Sequence, residues 1–302
     1  MYDWQKKMKK FIILIPVFND WKSVSELLVN IDSQINNWKA DISVIIVNDG
    51  STEKRSGLES NYKKIKSVKV LNMKENRVHQ RCIAAGLKYI CENENFDRVI
   101  VMDADGEDRP EELNDFYKKS EENPDMTITG NRYKRSEGIV FRFLYEIHKL
   151  ITLIFTGKLI KFGNFTCLPK RHVQELIQKP YLWNSYSSSI VKTIKNRTFI
   201  HSIRGTRYVL PSKMNFSALI FHSLAIISVF SNLVVIRSIA LFLVYFLFFF
   251  NNFSLIFFIP IFFLILFVFI ILKISKRASM EGLNNSLKNI DSIDVLNDLN
   301  GR

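Results

Sequence analysis

The sequence predicts an α/β domain on a mostly parallel, doubly wound sheet, followed by amphipathic helices and a C-terminal two-helix membrane hairpin. Three observations predict it. Strand-like and helix-like apolar patterns alternate up to about residue 130, as repeated βα units do. From Ser238 to Leu272 no residue is charged, and Phe, Leu and Ile dominate. Between these regions Val101-Met102 breaks abruptly into Asp103-Ala104-Asp105-Gly106-Glu107-Asp108. Those acids fall just past a strand end, where open α/β sheets bind ligands.

Phe11–Ile15 reads as a buried strand that Pro16 stops. Ser23–Ile35 carries Val24, Leu27, Leu28, Ile31 and Ile35 at helical spacing. Ile42–Val47 is a second strand, ending in Asn48-Asp49-Gly50-Ser51, and Val68–Leu71 a third. Gln80–Ile90 is helical, with Ile83, Ala84, Leu87 and Ile90 on one face. Arg98–Met102 is the fourth strand, Arg109-Pro110-Glu111-Glu112 a helix start, and Met126–Thr129 a fifth strand. In the Arg-, Lys- and aromatic-rich stretch that follows, Phe143–Phe155 is amphipathic and Thr198–Ile203 returns as a strand. Met214–Val235 is a second amphipathic stretch, placed in the membrane interface, with packing in a helix bundle the alternative.

As one helix the uncharged run would be about 50 Å long, against a hydrocarbon layer of roughly 30 Å. Asn251-Asn252-Phe253-Ser254 breaks it near the middle, giving spans of about Leu233–Phe250 and Leu255–Leu272. Arg237 flanks the first, and Lys273, Lys276 and Arg277 follow the second. By the positive-inside rule that shared face is cytoplasmic. Lys6, Lys7, Lys9 and Lys10 precede only a short apolar run, so no signal peptide is read and the N-terminal domain is placed in the cytoplasm too. The Asn/Asp-rich tail after Arg277 reads as a frayed end, with a short oligomerisation helix as the alternative.

Cys82, Cys91 and Cys167 are odd in number and lack metal-ligand spacing, as reduced structural thiols do. The net charge of +13 over 302 residues asks for an anionic partner. Beside a membrane hairpin, anionic headgroups and phosphorylated ligands suit it better than nucleic acid. Asp103 and Asp105, at i and i+2, suffice to hold one hard divalent cation that grips a phosphate. An acidic βα-loop with Asp108 as a helix cap is the alternative. Ile15-Pro16-Val17-Phe18-Asn19-Asp20 and Asn48-Asp49-Gly50-Ser51-Thr52 leave the first two strands on the same edge as these acids. Each alone is ordinary turn chemistry; together they line a cleft for a base and ribose. His79 reads as structural, and His148, His172, His201 and His222 are scattered and support no site.

Pro16-Val17-Phe18-Asn19, Asn48-Asp49-Gly50-Ser51, Asn76-x-x-His79-Gln80 with Ala85-Gly86-Leu87, and Asp103-Ala104-Asp105 with Pro110-Glu111 resemble family 2 glycosyltransferases of the GT-A fold. Among these the chain is most similar to membrane-anchored polyprenyl-phosphate sugar transferases, of the dolichyl-phosphate mannose synthase and bactoprenol glucosyltransferase type. Gly130-Asn131-Arg132, the Arg204/Arg207 and Ser212-Lys213 region and a C-terminal hairpin occur in that family's order. Three of the motifs depart from the pattern. Asn48 stands where Asp is usual, Val78 where Gly is usual, and Gly106-Glu107-Asp108 where the family has Leu-Gln-Asp.

The resemblance implies a GT-A domain over 1–212, an interfacial helix over 213–236, a hairpin over 237–273 and a cytoplasmic tail over 274–302. It implies inverting transfer of a sugar from a UDP- or GDP-sugar to a polyprenyl phosphate, such as undecaprenyl phosphate, at the cytoplasmic face of a bacterial-type plasma membrane. Nucleotide-sugar contacts then fall to Pro16, Val17, Asn19, Asn48, Asp49, Asn76, Gln80, Asp103 and Ala104. Mg²⁺ or Mn²⁺ falls to Asp103 and Asp105, with Glu107 as an added ligand. Asp108, Glu107 and Arg132 take catalytic roles, and Arg132, Arg142, Arg204, Arg207 and Lys213 face the acceptor phosphate or the diphosphate. A homo-oligomer is compatible with this reading; a nucleic-acid partner is not expected. One alternative is a membrane-bound glycosyltransferase with a saccharide or lipid hydroxyl acceptor in surface-polysaccharide assembly. Another is a catalytically inactive membrane scaffold, against which the Asp103/Asp105 pair argues.

Overall fold

A computed structural model describes residues 8–58, 62–134, 139–209, 216–251 and 254–298. The chain runs β1 (Lys9–Val17), α1 (Trp21–Gln34), β2 (Ala40–Asn48), β3 (Ile65–Met73), α2 (His79–Asn93), β4 (Arg98–Val101), α3 (Leu113–Glu122), β5 (Thr127–Lys134) and α4 (Ile139–Thr156). It continues through β6 (Phe162–Pro169), α5 (Lys170–Leu176), α6 (Tyr186–Thr193), β7 (Arg197–Ile203), α7 (Phe216–Ser228), α8 (Ser231–Phe249), α9 (Leu255–Ser275), α10 (Met280–Asn284) and β8 (Ile290–Asp298). The strands form one sheet in the order β7-β5-β6-β4-β1-β2-β3-β8. β3, β2, β1 and β4 are parallel, whereas β6 and β8 run antiparallel to β4 and β3.

Crossover helices cover both faces of the sheet, so β1 is apolar from Phe11 to Val17 instead of alternating with polar residues. Phe11, Ile13 and Ile15 join one core with Val24, Leu27, Leu28 and Ile31 of α1 and Phe116 of α3. Ile12 and Leu14 face the other way and join Ile83, Leu87 and Ile90 of α2. Pro16 does not stop the first strand, which continues to Val17. Leu14 accepts from Met102 on the β4 side, and two residues on Pro16 faces that same side past the end of β4. The ring therefore displaces no ladder donor.

α8 and α9 are long and apolar enough to cross a membrane. Their surfaces are bare: Leu255 is 87% and Phe248 78% exposed. The amphipathic stretch read as one interfacial helix is two, because α7 ends at Ser228 and α8 begins at Ser231. The first of these ties the hairpin to the α/β domain. Asn184 donates to Ser228 Oγ at 2.7 Å, Ser188 to the Ile226 carbonyl at 3.0 Å, and Lys192 to the Val229 carbonyl at 2.6 Å. Arg237 donates to the Ile154 carbonyl at 3.0 Å, which serves the C-terminal end of α4.

The tail corrects the sequence reading. Residues 290–298 neither fray nor form a helix; they add strand β8 to the outer edge of β3. Leu283 packs with the α2 core on the way there. The reason is accounting for backbone groups, since β3 would otherwise end the sheet with an open row of donors and acceptors.

Candidate active site

Strand order reverses at β1, which has β2 on one side and β4 on the other. The loops leaving these strands therefore open a crevice at their carboxyl ends. Pro16 and Val17 form its floor at the end of β1. Asn19, at φ 51°, laces two loops together. Its Oδ1 accepts from Thr52 N at 2.8 Å and Glu53 N at 3.1 Å, and its own N–H donates to Ser51 Oγ at 2.8 Å. The Asn48 side chain closes the next turn, accepting from Ser51 N at 3.1 Å. Gly50 has φ 66°, and a Cβ there would stand 2.9 Å from the backbone of Asn76 and Glu75, so only glycine fits. Asp49 is buried and accepts from Arg77 N at 2.6 Å. Burial outweighs that bond and raises its pKa.

Asn76 Oδ1 accepts from Val78 N at 3.1 Å. Val78 itself has φ 77° and ψ 142°, near a region occupied almost wholly by glycine, and its side chain is 57% exposed. A β-branched residue there is strained with no burial to offset it. Val78→Gly is expected to stabilise the protein by about 1 kcal/mol, after the entropy that glycine costs the unfolded chain. Thermal melting checks this, and a lower melting temperature would contradict it.

The acidic loop follows β4. Asp103 Oδ1 lies 3.0 Å from Asn164 Nδ2 and 3.0 Å from His79 Nε2. Burial alone would raise the pKa of Asp103, but His79, Asn164 and Arg132 hold it well below the usual carboxylate range. His79 is therefore part of the site, against the structural role read from sequence. Desolvation would lower its pKa, yet Asp103 and its acidic neighbours raise it. Asp105 is pushed up to about 6, by burial and then by the charges of Asp103 and Glu107. Asp108 does not cap the following helix. It turns back to accept from Asp103 N at 2.9 Å and from Arg132 at 3.3 Å. Burial and Asp103 raise it to about 7. Ala104, between the two aspartates, is buried and joins the core shared with α1.

Glu107, placed by sequence among the metal ligands, has its carboxylate among arginines. It accepts from Arg204 at 2.5 Å and Arg207 at 2.8 Å, and Arg132 stands 3.8 Å away. Arg207 also pairs with Asp105 at 2.7 Å. The segment after β7 is clamped on the loop: Gly205 N donates to Glu107 O and Tyr208 N to Asp105 O, both at 2.9 Å. A Cβ on Gly205 would stand 2.4 Å from the Gly106 carbonyl, so the two backbones meet directly. Lys213 and the Arg142 side chain lie outside the described residues.

Sequence reasoning missed Asn164 of β6. Gln80 donates to Asn164 Oδ1 at 3.2 Å and accepts from Tyr186 N at 2.7 Å, so Gln80 supports the acids from behind. A period-two signal was present: Phe165 and Cys167 are buried core and alternate with the polar Asn164 and Thr166. The scattered histidines also converge in part. His222 is pushed down to about 4 by desolvation and by the nearby His79 and His148. His172 stands apart, bonded to Thr127 Oγ1 at 2.7 Å.

Among the described residues no group of three or more His, Cys, Asp or Glu is arranged to hold a metal ion. The loop offers two oxygen donors, Asp103 and Asp105, and the crowding that raises Asp105 is the excess of negative charge that a divalent cation relieves. The donor set fits a hard ion whose remaining ligands are phosphate oxygens and water.

Residues 12–175 match the family described as Glycosyl transferase family 2. A glycosyltransferase of Synechocystis sp. is 25% identical over 207 residues, 68% of this chain and 64% of its own length. An undecaprenyl-phosphate 4-deoxy-4-formamido-L-arabinose transferase of Photorhabdus laumondii is 23% identical over 221 residues, 71% and 66% of the two lengths. The chain thus spans less than two thirds of the length of these curated relatives. Glucosyl-3-phosphoglycerate synthase from Mycobacterium tuberculosis, solved with Mn²⁺, UDP-glucose and phosphoglyceric acid, superposes with a TM-score of 0.54 at 10% identity, over 75% of this chain and 80% of that one. Mannosyl-3-phosphoglycerate synthase from Rubrobacter xylanophilus gives 0.52 at 12%, over 72% of each. At such identities the likeness is one of fold.

Proposed function

The chain belongs to glycosyl transferase family 2, and from that premise we propose that it moves one sugar from a UDP- or GDP-sugar onto a polyprenyl phosphate at the cytoplasmic face of a membrane. Its fold is the GT-A α/β fold. The observation that carries the proposal is the meeting of Asp103 and Asp105 with Arg132, Arg204 and Arg207 around one loop. Anions are handled on both sides of such a loop. The apolar hairpin, and relatives named for undecaprenyl phosphate, support a lipid acceptor.

In this reading the turn at Asn48–Ser51 and the Pro16–Val17 backbone hold the nucleoside. Asp103 and Asp105 would hold Mg²⁺ or Mn²⁺, which when bound supplies positive charge to the leaving diphosphate. Arg204 and Arg207, gathered by Glu107, present guanidinium forks to the same phosphates. Arg132 faces the acceptor, and its pairing with Asp108 fixes where the fork points. A lipid phosphate is already ionised near neutral pH, so it needs placing more than a base. Its oxygen attacks the anomeric carbon as the bond to the diphosphate breaks on the opposite face, inverting the centre.

The test is transfer itself. Purified protein given radiolabelled nucleotide sugars, Mn²⁺ and undecaprenyl phosphate is expected to yield a mild-acid-labile sugar phospholipid. Label entering only hydroxyl acceptors would reject the acceptor. Absence of both turnover and nucleotide binding would reject the enzyme in favour of a scaffold.

A further inference from the structure

We propose that β8 positions the nucleotide-binding turn through a side-chain relay from Asp294 by way of Asn72 to Asn48, an inference that rests on the donor reading above. β8 pairs with β3 so that Asn72 is opposite Ser292 and Val70 opposite Asp294. Asn72 Nδ2 donates to Asp294 Oδ2 and to Ser292 Oγ, each at 3.0 Å. Asn72 Oδ1 accepts from Asn48 Nδ2 at 2.9 Å. Asn48 Oδ1 in turn accepts from Ser51 N at 3.1 Å, which closes the turn.

The polarity of this relay is dictated at both ends. Asp294 as a carboxylate only accepts, and the Ser51 amide only donates. Two amides between them have one consistent orientation, with each nitrogen toward β8 and each oxygen toward the turn. An aspartate at position 48 accepts but cannot donate, so it would break the relay at Asn72. Arg55, just past the turn, pairs with Asp294 at 2.5 Å and keeps that carboxylate ionised, and Asn72 adds to the effect. The turn is thus gripped from two directions. Gly50 is wedged against the backbone of Glu75 and Asn76, and Asn48 is held from the strand that follows the hairpin.

One set of full-length variants tests this, each titrated with UDP and with GDP in the presence of Mn²⁺ by calorimetry. Asp294→Ala removes the carboxylate end of the relay and leaves Asn72 only Ser292 on β8, Asn72→Ala removes its middle, and each is expected to weaken binding of the nucleotide the wild type prefers by about fivefold, the scale of one net hydrogen bond. Asp294→Asn keeps an acceptor for Asn72 and is expected to restore wild-type affinity. Arg55→Ala removes only the ion pair and is expected to leave affinity within about twofold, because exposed pairs contribute little. Any other pattern overturns the relay. In particular, equal losses in Arg55→Ala and Asp294→Ala would assign the effect to the ion pair. A loss in Asp294→Asn equal to that in Asp294→Ala would assign it to charge. Wild-type protein that binds neither nucleotide overturns the donor reading and the relay with it, whereas wild-type binding with an unaltered Asp294→Ala overturns the relay alone.

Discussion

Asp105→Ala is expected to lower the rate of sugar transfer by about a thousandfold, or roughly 4 kcal/mol of transition-state stabilisation, while leaving the protein as stable as before or more so. Both halves follow from the same geometry. Asp105 is one of two carboxylates offered to the diphosphate metal, and it also anchors Arg207 at 2.7 Å and the Glu107 amide at 3.0 Å. Its loss removes a ligand and leaves the Arg207 guanidinium held by Glu107 alone. Yet burial, Asp103 and Glu107 all raise its pKa, so the folded protein holds it ionised at neutral pH at an energetic cost. Removing a group held against its preference relieves the fold even as it disables the site. Transfer rate and melting temperature, measured on one preparation, separate the two. Turnover within tenfold of wild type would remove Asp105 from the metal site.

Arg98→Leu is expected to destabilise the protein by about 4 kcal/mol, roughly 10 °C in melting temperature. Arg98 opens β4 and is buried, and among the described residues no carboxylate forms an ion pair with it. Its guanidinium instead collects carbonyls at the end of α3 and the turn into β5. The Asn123 carbonyl lies at 2.9 Å, Ser120 at 3.2 Å, Pro124 at 2.5 Å and Met126 at 3.3 Å. Ser120 and Asn123 stand at the C-terminal end of α3, where carbonyls lack intrahelical partners and carry the negative end of the helix dipole, and Pro124 and Met126 belong to the turn beyond it. Leucine fills part of the space but removes all four bonds at once, and it leaves the buried Ser120 carbonyl without its Arg98 donor. Arg98→Lys is expected to recover less than half of the loss, because one ammonium cannot span the four acceptors. Chemical denaturation checks both variants, and equal stability of Leu and Arg at this site would refute the account.

The parallel half of the sheet was legible because its signals are local. Apolar runs at β1 and β2, the helical stripe from Val24 to Ile31 and the break at Asp103 each show themselves within a few residues. The Asp103/Asp105 pair was legible for the same reason. What was not legible depended on distant partners. Ile290, Leu296 and their neighbours have spacing that suits a helix, and the strand they form carries register shifts against β3. The partner of Ser292 is Asn72, 220 residues upstream, and no local pattern records such a pairing. Glu107 was read as an added metal ligand because it stands where the resembling family has Gln, and only the fold brings Arg204 and Arg207 onto it. Val78 is the instructive middle case. The family pattern marked it as odd, and the positive φ supplies the reason.

The strand β8 has a consequence for how the molecule is made. The chain leaves the domain at α7, passes through the proposed hairpin and only then comes back to finish the sheet. During synthesis β3 therefore waits with an open edge, a ready template for pairing with another nascent chain, until residues 290–298 have been made. Closing the sheet thus depends on the segment that follows both apolar helices. A chain whose hairpin is stranded in the cytosol would be exposed twice, by its bare apolar helices and by its unclosed edge.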